Sequence, residues 1–307
     1  MFTKKTTVFA AIESPSGTDA VPTAAANAIM AFNVALDIKP DMKERGPGNS
    51  DRSLYAEVRG KTIMELKFSV ELKGSGTAGT APRWGALIRA CDRLETVVSA
   101  TSVTYTPALT SETCSIYVNI DGILHKLLGC AGDVEIDKTA GEKQMINFTF
   151  QGIYALPTDS GIETPTFDSS LPLICRGETM TFGSYACIIE KLLLKFGNKV
   201  VERTDFNQDE NVLSFLVTDR APSGVMTIEA VLRATTNADF WLYFNAGTSK
   251  ALSSVLGATA GNIVTITAPA CVPRAPKYGD RDGLRLFDVE FQMARSSGND
   301  ELTIALT

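Results

Sequence analysis

Chemistry in this 307-residue chain would have to start from very few residues. His125 is the only histidine, so a general acid or base near neutral pH would rest on one ring, and no cluster of imidazoles exists to hold a metal. Its place in the return strand of a hairpin predicts a surface or interface histidine. The six cysteines, at 91, 114, 130, 175, 187 and 271, lack the C-x-x-C spacing that zinc or thiol–disulfide chemistry uses. They read as small buried hydrophobes in a reducing compartment. Gly60-Lys61-Thr62 echoes the end of a phosphate loop, but the first glycine of that motif would fall at Tyr55 and no strand–loop–helix surrounds it. The chain holds neither a G-x-S-x-G elbow nor an H-E-x-x-H pair. Asp209-Glu210 is a carboxylate pair in a polar stretch and suits a solvated face better than an acid–base dyad. The sequence therefore predicts no catalytic residue, no metal site, no cofactor and no enzyme.

Composition narrows the class further. With 44% apolar and 21% charged residues the chain is globular, and it is long enough for two domains of ordinary size. Acidic residues exceed basic ones, for a net charge of -6, which argues against a surface built to grip nucleic acid. No stretch reaches the roughly 18 apolar residues of a membrane span. Met1 to Lys5 faintly imitates a signal peptide, but the apolar run Val8 to Ile12 is cut short by Glu13. Folding in the cytosol is the expectation.

The elements that would position any site are mostly strands. Phe32, Val34, Leu36 and Ile38 alternate as in a half-buried strand ended by Pro40, and Ile63, Leu66, Phe68, Val70 and Leu72 form a second. A polar stretch from Lys39 to Ser53 joins them, longer than a tight turn requires. From Pro82 to Val97 the period changes. Trp84, Leu87, Ile88, Cys91 and Leu94 make one stripe of an amphipathic helix, with Arg83, Arg89, Asp92, Arg93 and Glu95 opposite. Strands return at Val103–Tyr105 and at Ile116–Ile120, which runs into the hairpin signal Asp121-Gly122. Val134–Ile136 and Ile146–Phe150 close this half. The expected class is mainly β (α+β): antiparallel sandwich or barrel domains, each with one packed helix and a long hairpin loop.

That plan is written twice. Trp84 and Trp241 lie 157 positions apart, while Glu44-Arg45 and Glu202-Arg203, like Val70-Glu71 and Ile228-Glu229, lie 158 apart. Phe148 to Gln151 corresponds to Val289 to Gln292 at a spacing of 141, so the second copy is shorter. Residues 1–157 read as the first domain with its N-terminal arm. Residues 158–174 are Pro-, Ser- and Thr-rich and read as a linker, and 175–307 as the second, shorter domain. In it a polar stretch from Gly197 to Asn211 mirrors the first long loop, and Asn237 is placed to cap a helix carrying Trp241 and Phe244.

Several segments resemble one family. Glu13-x-x-x-Gly17-Thr18-Asp19-Ala20-x-Pro22-Thr23 and Lys73-Gly74-Ser75-Gly76-Thr77-Ala78-Gly79-Thr80-Ala81-Pro82-Arg83-Trp84-Gly85 are similar to tail tube (major tail) proteins of long, non-contractile-tailed bacteriophages. So are Tyr105-Thr106-Pro107, Asp121-Gly122 and Phe148-Thr149-Phe150-Gln151-Gly152. The likeness covers residues 13 to 157 and reaches the second half only through the repeat. It implies a structural virion protein, assembled in the host bacterial cytoplasm, whose rings stack into the conduit for genome ejection. Single-domain members of that family form hexameric rings, so two tandem domains imply a trimer with pseudo-sixfold symmetry.

The implied partners are other copies of the chain and further tail proteins (terminator, tape measure, distal tail). Double-stranded DNA would pass without specific binding, and no membrane is involved. An acidic balance suits a bore through which DNA must slide, because basic walls would hold its phosphates. The two long loops are suited to reach the next ring. Candidate contact residues are Lys39, Met42, Lys43, Glu44, Arg45, Asn49, Asp51 and Arg52 in the first loop, and Glu202, Arg203, Asp205, Asp209 and Glu210 in the second. Trp84 and Trp241 are the candidate helix anchors. Two other readings remain: a non-catalytic tandem sandwich used for binding or adhesion, and a ring protein of a secretion tube.

Overall fold

The computed structural model describes residues 2, 4–48 and 50–307. The first half runs β1 (Thr6–Ile12), β2 (Ala28–Ile29), β3 (Ala31–Lys43), β4 (Val58–Glu71), α1 (Gly85–Arg89), β5 (Arg93–Val98), β6 (Ser102–Pro107), β7 (Cys114–Ile120), β8 (Ile123–Thr139), β9 (Met145–Tyr154) and the short β10 (Thr158–Asp159). The second half runs β11 (Thr179–Phe182), β12 (Tyr185–Ala186), β13 (Ile189–Lys195), β14 (Asn198–Thr204), β15 (Val212–Arg220), β16 (Ser223–Glu229) and α2 (Phe240–Ala246). It ends with β17 (Lys250–Leu256), β18 (Val264–Pro273), β19 (Lys277–Arg281), β20 (Leu284–Met293) and β21 (Thr303–Leu306). Strand makes up 52% of the chain and helix 4%, so the mainly β class read from the alternation holds.

All strand pairings are antiparallel, and they form two long runs. One is β3-β4-β9-β8-β13-β16-β20-β19. The other is β5-β6-β21-β18-β17-β11-β12. Strand β8 is shared: its first residues pair with β7, which carries β1 and β2, and its last residues pair with β9 and β13. Gly129 sits at the register shift between those stretches with φ +59°, where a Cβ would come within 3.0 Å of Ser214 Cα. Inward side chains of both runs meet in one apolar cluster. Leu66, Phe68, Phe148 and Phe150 from the first half and Met226, Phe291, Ile266 and Ile304 from the second are all buried in it.

Two sequence expectations are corrected at the helices. The apolar stripe is buried as far as Cys91, but Asp92 adopts φ +63° and stops the helix, and the β-branched Thr96-Val97-Val98 continues as β5. Leu94, the last member of the stripe, is exposed. In the second half the cap is Asp239, whose side chain accepts from Leu242 N–H at 2.9 Å, while Asn237 instead takes φ +59° in the turn before it. Trp84 stands just before α1, fully buried, donating Nε1–H to the Lys73 carbonyl at 2.9 Å and packing on Tyr105. Trp241 lies within α2 and is half-buried against Tyr278 and Phe287, and the buried residues of α2 are Phe240 and Tyr243.

Residues after β10 cross the first half as an irregular segment that is fastened at intervals. Thr166 N–H donates to the Ala24 carbonyl, Arg83 N–H to Asp168 Oδ2, and Lys73 Nζ to the Ser170 carbonyl. A glycine seam follows. Gly76 N–H donates to the Gly261 carbonyl at 3.0 Å, and a Cβ on Gly74 would stand 2.0 Å from that same oxygen.

Candidate assembly surface

The β3–β4 hairpin pairs strands of 13 and 14 residues. Its strands pair from Ala31↔Val70 out to Lys43↔Val58, and the described residues from Glu44 to Glu57 beyond them are all exposed. The sequence placed the start of this loop at Lys39; the pairing continues to Lys43, with Pro40 on the free edge, where its missing N–H costs nothing. Lys39 pairs with Glu65 and Lys43 with Asp41. The Glu65 carboxyl is held below its ordinary range by the hydrogen bonds from Lys39 and Lys67. Met42, Glu44, Arg45, Asp51 and Arg52 are all exposed, and Arg45 lies over the Tyr55 ring. Asn49 lies outside the described residues. Leu54 is 100% exposed, and Met42 and Val58 are exposed too, so the projection carries apolar surface that water alone covers.

The second polar stretch is not an open loop. Residues 198–220 form a separate hairpin, β14–β15, paired from Asn198↔Arg220 to Thr204↔Val212. It folds back over the first half. Val212 and Phe215 are buried with Ala131, against Ile63, Ile153, Val200 and Val217. Two ion pairs clamp it to the root of the first projection, Arg59 with Glu210 and Lys61 with Glu202. Glu210 is buried, and its second oxygen accepts from Thr62 N–H at 2.9 Å. Asp205 accepts from Asn207 N–H and Nδ2–H, hydrogen bonds that hold its carboxyl below its ordinary range and close the tip as a turn. Arg203 and Asp209 remain exposed. Of the residues proposed for contact, the structure thus gathers Glu202 and Glu210 against Arg59, Lys61 and Thr62 of the same chain and leaves the described ones of the first loop facing solvent.

The outward face of the first long run is polar and carries rows of charge. Lys39, Glu65 and Lys67 form one group, Glu135 with Lys195 and Asp137 with Lys191 another, and Glu290 with Lys277 and Arg274 a third. At its two ends stand β3 and β19, each paired on one side only among the described residues. Neither edge strand nor the charge on this face was visible as a site in the sequence, because both depend on which strands become neighbours.

The N-terminal motif has a physical role that its spacing alone does not reveal. The buried Glu13 carboxylate accepts from Gly17 N–H, Thr113 Oγ1, Ser115 Oγ and Gly129 N–H, all within 2.8 Å. A buried carboxylate without such donors would cost several kcal/mol. Asp19 loses solvation by burial, yet its carboxyl sits below the ordinary range because Tyr117, Val21 N–H and Lys126 all donate to it.

Groups capable of other chemistry are disarmed by their surroundings. Burial pushes the Cys91 and Cys130 thiols well up, and those of Cys187 and Cys271 up to about 12, so none is poised as a thiolate. His125 is half-buried with a pKa lowered by that burial, and its Nδ1 has no partner. Among the described residues no three His, Cys, Asp or Glu side chains stand together to hold a metal ion. Among the described residues no helix is long and apolar enough to cross a membrane.

A sheet with two bare ends and a projecting hairpin offers surfaces suited to contact with other chains. The chain belongs to the phage tail tube protein family, whose model matches residues 3–293. Membership makes it a structural component of the virion tail that assembles with copies of itself into a tube, alongside other tail proteins. No curated protein matches it.

Proposed function

We propose that three copies close a ring with pseudo-sixfold symmetry, and that such rings stack into the tube of a long, non-contractile tail through which the genome is ejected. The observation that carries this is the coincidence of strand registers in the two halves. Spacings of 158 and 141 residues map the β4–β9 pairs Val70↔Ile146, Phe68↔Phe148 and Glu65↔Gln151 onto the β16–β20 pairs Ile228↔Phe287, Met226↔Val289 and Ser223↔Gln292. Equal registers at both sequence spacings favour two copies of one unit, each with a short helix between its two paired strands. Three chains then supply six units.

In this reading residues 44–57 reach the neighbouring ring, and the exposed Leu54, Met42 and Val58 are covered there. The polar face of the long run lines the bore, where its basic side chains are paired with carboxylates and so offer DNA phosphates few free cations on which to settle. Terminator, tape-measure and distal tail proteins meet the ends of the tube. Negative-stain microscopy of the purified protein at rising concentration tests the proposal. Rings or tubes with threefold-repeating subunits are expected. Monodisperse beads at every concentration would favour a tandem binding module instead.

A further inference from the structure

The break between α1 and β5 turns two neighbours inside out. Leu94 faces solvent, while Arg93, which opens β5 opposite Pro107, is only 2% exposed. Its guanidinium carbon lies 3.9 Å from the centre of the buried Phe196 ring. Among the described residues none of its three side-chain nitrogens has a hydrogen-bond partner. Burial, and after it the neighbouring Arg220, lowers its pKa to about 10, so it stays a cation at neutral pH. A buried cation without a partner destabilises the folded chain, and an apolar side chain would fill the same space without that cost. The equivalent position in the second half is Lys250, which opens β17 half-buried, its ammonium 4.4 Å from the centre of the Tyr243 ring. The enclosure is therefore particular to the first half.

The carboxylates of this corner are committed to other arginines. Arg220 takes Asp92 at 2.8 Å and Glu301 at 3.5 Å, and Arg89 takes Glu112 through two hydrogen bonds of 2.8 and 2.7 Å. Arg220 Nε is itself buried without an acceptor among the described residues. Two clefts open beside these side chains. One, of about 560 Å³, is lined by Arg93, Leu94 and Glu112; the other, of about 400 Å³, is lined by Asp92, Arg220 and Glu301. Ala108, Leu109 and Asn299 line both and form the wall between them. Leu109 is 85% exposed, and the exposed Asn299 accepts from Arg220 Nη2–H at 2.7 Å.

We propose that Arg93 and Arg220 form a binding site for one oxyanion, a phosphate or a carboxylate, which enters by displacing Leu109 and Asn299. The oxyanion takes the place of Asn299 at Arg220 and meets the unused N–H groups of Arg93. The donor set selects this class of ligand. With its face against Phe196, the Arg93 guanidinium has its coplanar N–H groups left over, and that fork matches two oxygens of a carboxylate or phosphate. A neutral ligand would leave the buried charge uncompensated, and a cation would add to it. Arg93 belongs to the first half, Arg220 to the β14–β15 hairpin and Asn299 to the segment before β21, so a bound oxyanion ties three distant parts of the chain at one point.

Inorganic phosphate is the probe. Thermal melting of the unassembled subunit is followed near neutral pH as sodium phosphate replaces sodium chloride at constant ionic strength, and binding is measured directly by calorimetry. Arg93→Met and Arg93→Lys are compared with the unaltered chain. The unaltered chain should show a saturable rise in midpoint of about 3 °C at about ten times the dissociation constant. Arg93→Lys keeps the charge but loses the planar fork and should bind about tenfold more weakly, while Arg93→Met should not respond. In chloride Arg93→Met should melt no lower than the unaltered chain, because it removes an unpaired buried charge. If phosphate leaves the unaltered chain unmoved, but Arg93→Met melts normally and no longer sediments as assemblies, the oxyanion is a carboxylate of another copy and the site stands. A phosphate effect of equal size in all three chains overturns it, and so does no effect together with normal assembly of Arg93→Met. It also falls if Arg93→Met and Glu301→Gln each lower the midpoint in chloride, which would make Glu301, whose Oε2 is buried without a partner, the internal counterpart of Arg93.

Discussion

The connection between β3 and β4 and the connection between β13 and β16 leave the same sheet from equivalent positions and have different fates. Both are polar, and both carry Glu-Arg at matching places, Glu44-Arg45 and Glu202-Arg203. The first stays an extended ladder to Lys43 and then opens into solvent. The second breaks after Lys195, where Gly197 takes φ +66° with a Cβ position only 2.3 Å from the Ala221 carbonyl, and re-forms as a hairpin folded onto its neighbour. What separates them is a handful of apolar residues. Val200, Val212, Phe215 and Val217 of the second stretch pack against Ile63 and Ile153, whereas the first keeps Leu54 fully exposed near its tip. Average polarity hides this difference.

If docking of the second hairpin is apolar in origin, Phe215→Ala should be the most damaging change in either. It empties the middle of a small cluster, and about 3–4 kcal/mol of unfolding free energy should be lost in denaturant titration. A loss under 1 kcal/mol would mean that the ion pairs, and not the cluster, hold the hairpin down. Next comes Glu210→Ala, which leaves Thr62 N–H without its acceptor and Arg59 without its carboxylate. About 1–3 kcal/mol is expected, with faster amide exchange at Thr62 as the local signature. Replacing residues 44–49 of the first loop by a two-residue turn should move stability least, within about 0.5 kcal/mol, because Glu44 to Gly48 are exposed. The same change should abolish tubes. Normal polymerisation of the shortened chain would remove the contact role of that loop.

Much of the strand content was legible. The alternation of β4 and β9 and the Asp121-Gly122 turn fold as their patterns predict, with Asp121 and Gly122 at φ 45° and 104° between Ile120↔Ile123. Other elements were missed for identifiable reasons. β1, Thr6 to Ile12, is a central partner of β7, yet its short apolar run beside the N-terminus looks like a processing segment. β5 was absorbed into the helix stripe because the single left-handed residue that divides them, Asp92, is an ordinary helix-surface residue by type. β19 is announced by Asp282-Gly283, the same turn signal as Asp121-Gly122, but its own residues are too polar to alternate. The two bare edges could not be read at all. An edge is a statement about absent neighbours, and only the order of strands in the sheet supplies it. Glu13 belongs with these: its spacing to Gly17 is local, but Thr113, Ser115 and Gly129 are distant in sequence.

Strand β21 has a bearing on how the subunit is made. It fits between β6 and β18, pairing Ile304 with Tyr105 on one side and with Ile266 on the other. Those two strands belong to opposite halves, and residues 303–306 are synthesised after both. Until they emerge from the ribosome, β6 and β18 each expose an unpaired row of backbone donors and acceptors, and the second long run is in two pieces. The nascent chain therefore cannot finish its first half and move on. It carries an open slot until the four residues of β21 have been made and fill it, so the order of synthesis itself decides when the finished shape is first available to other copies.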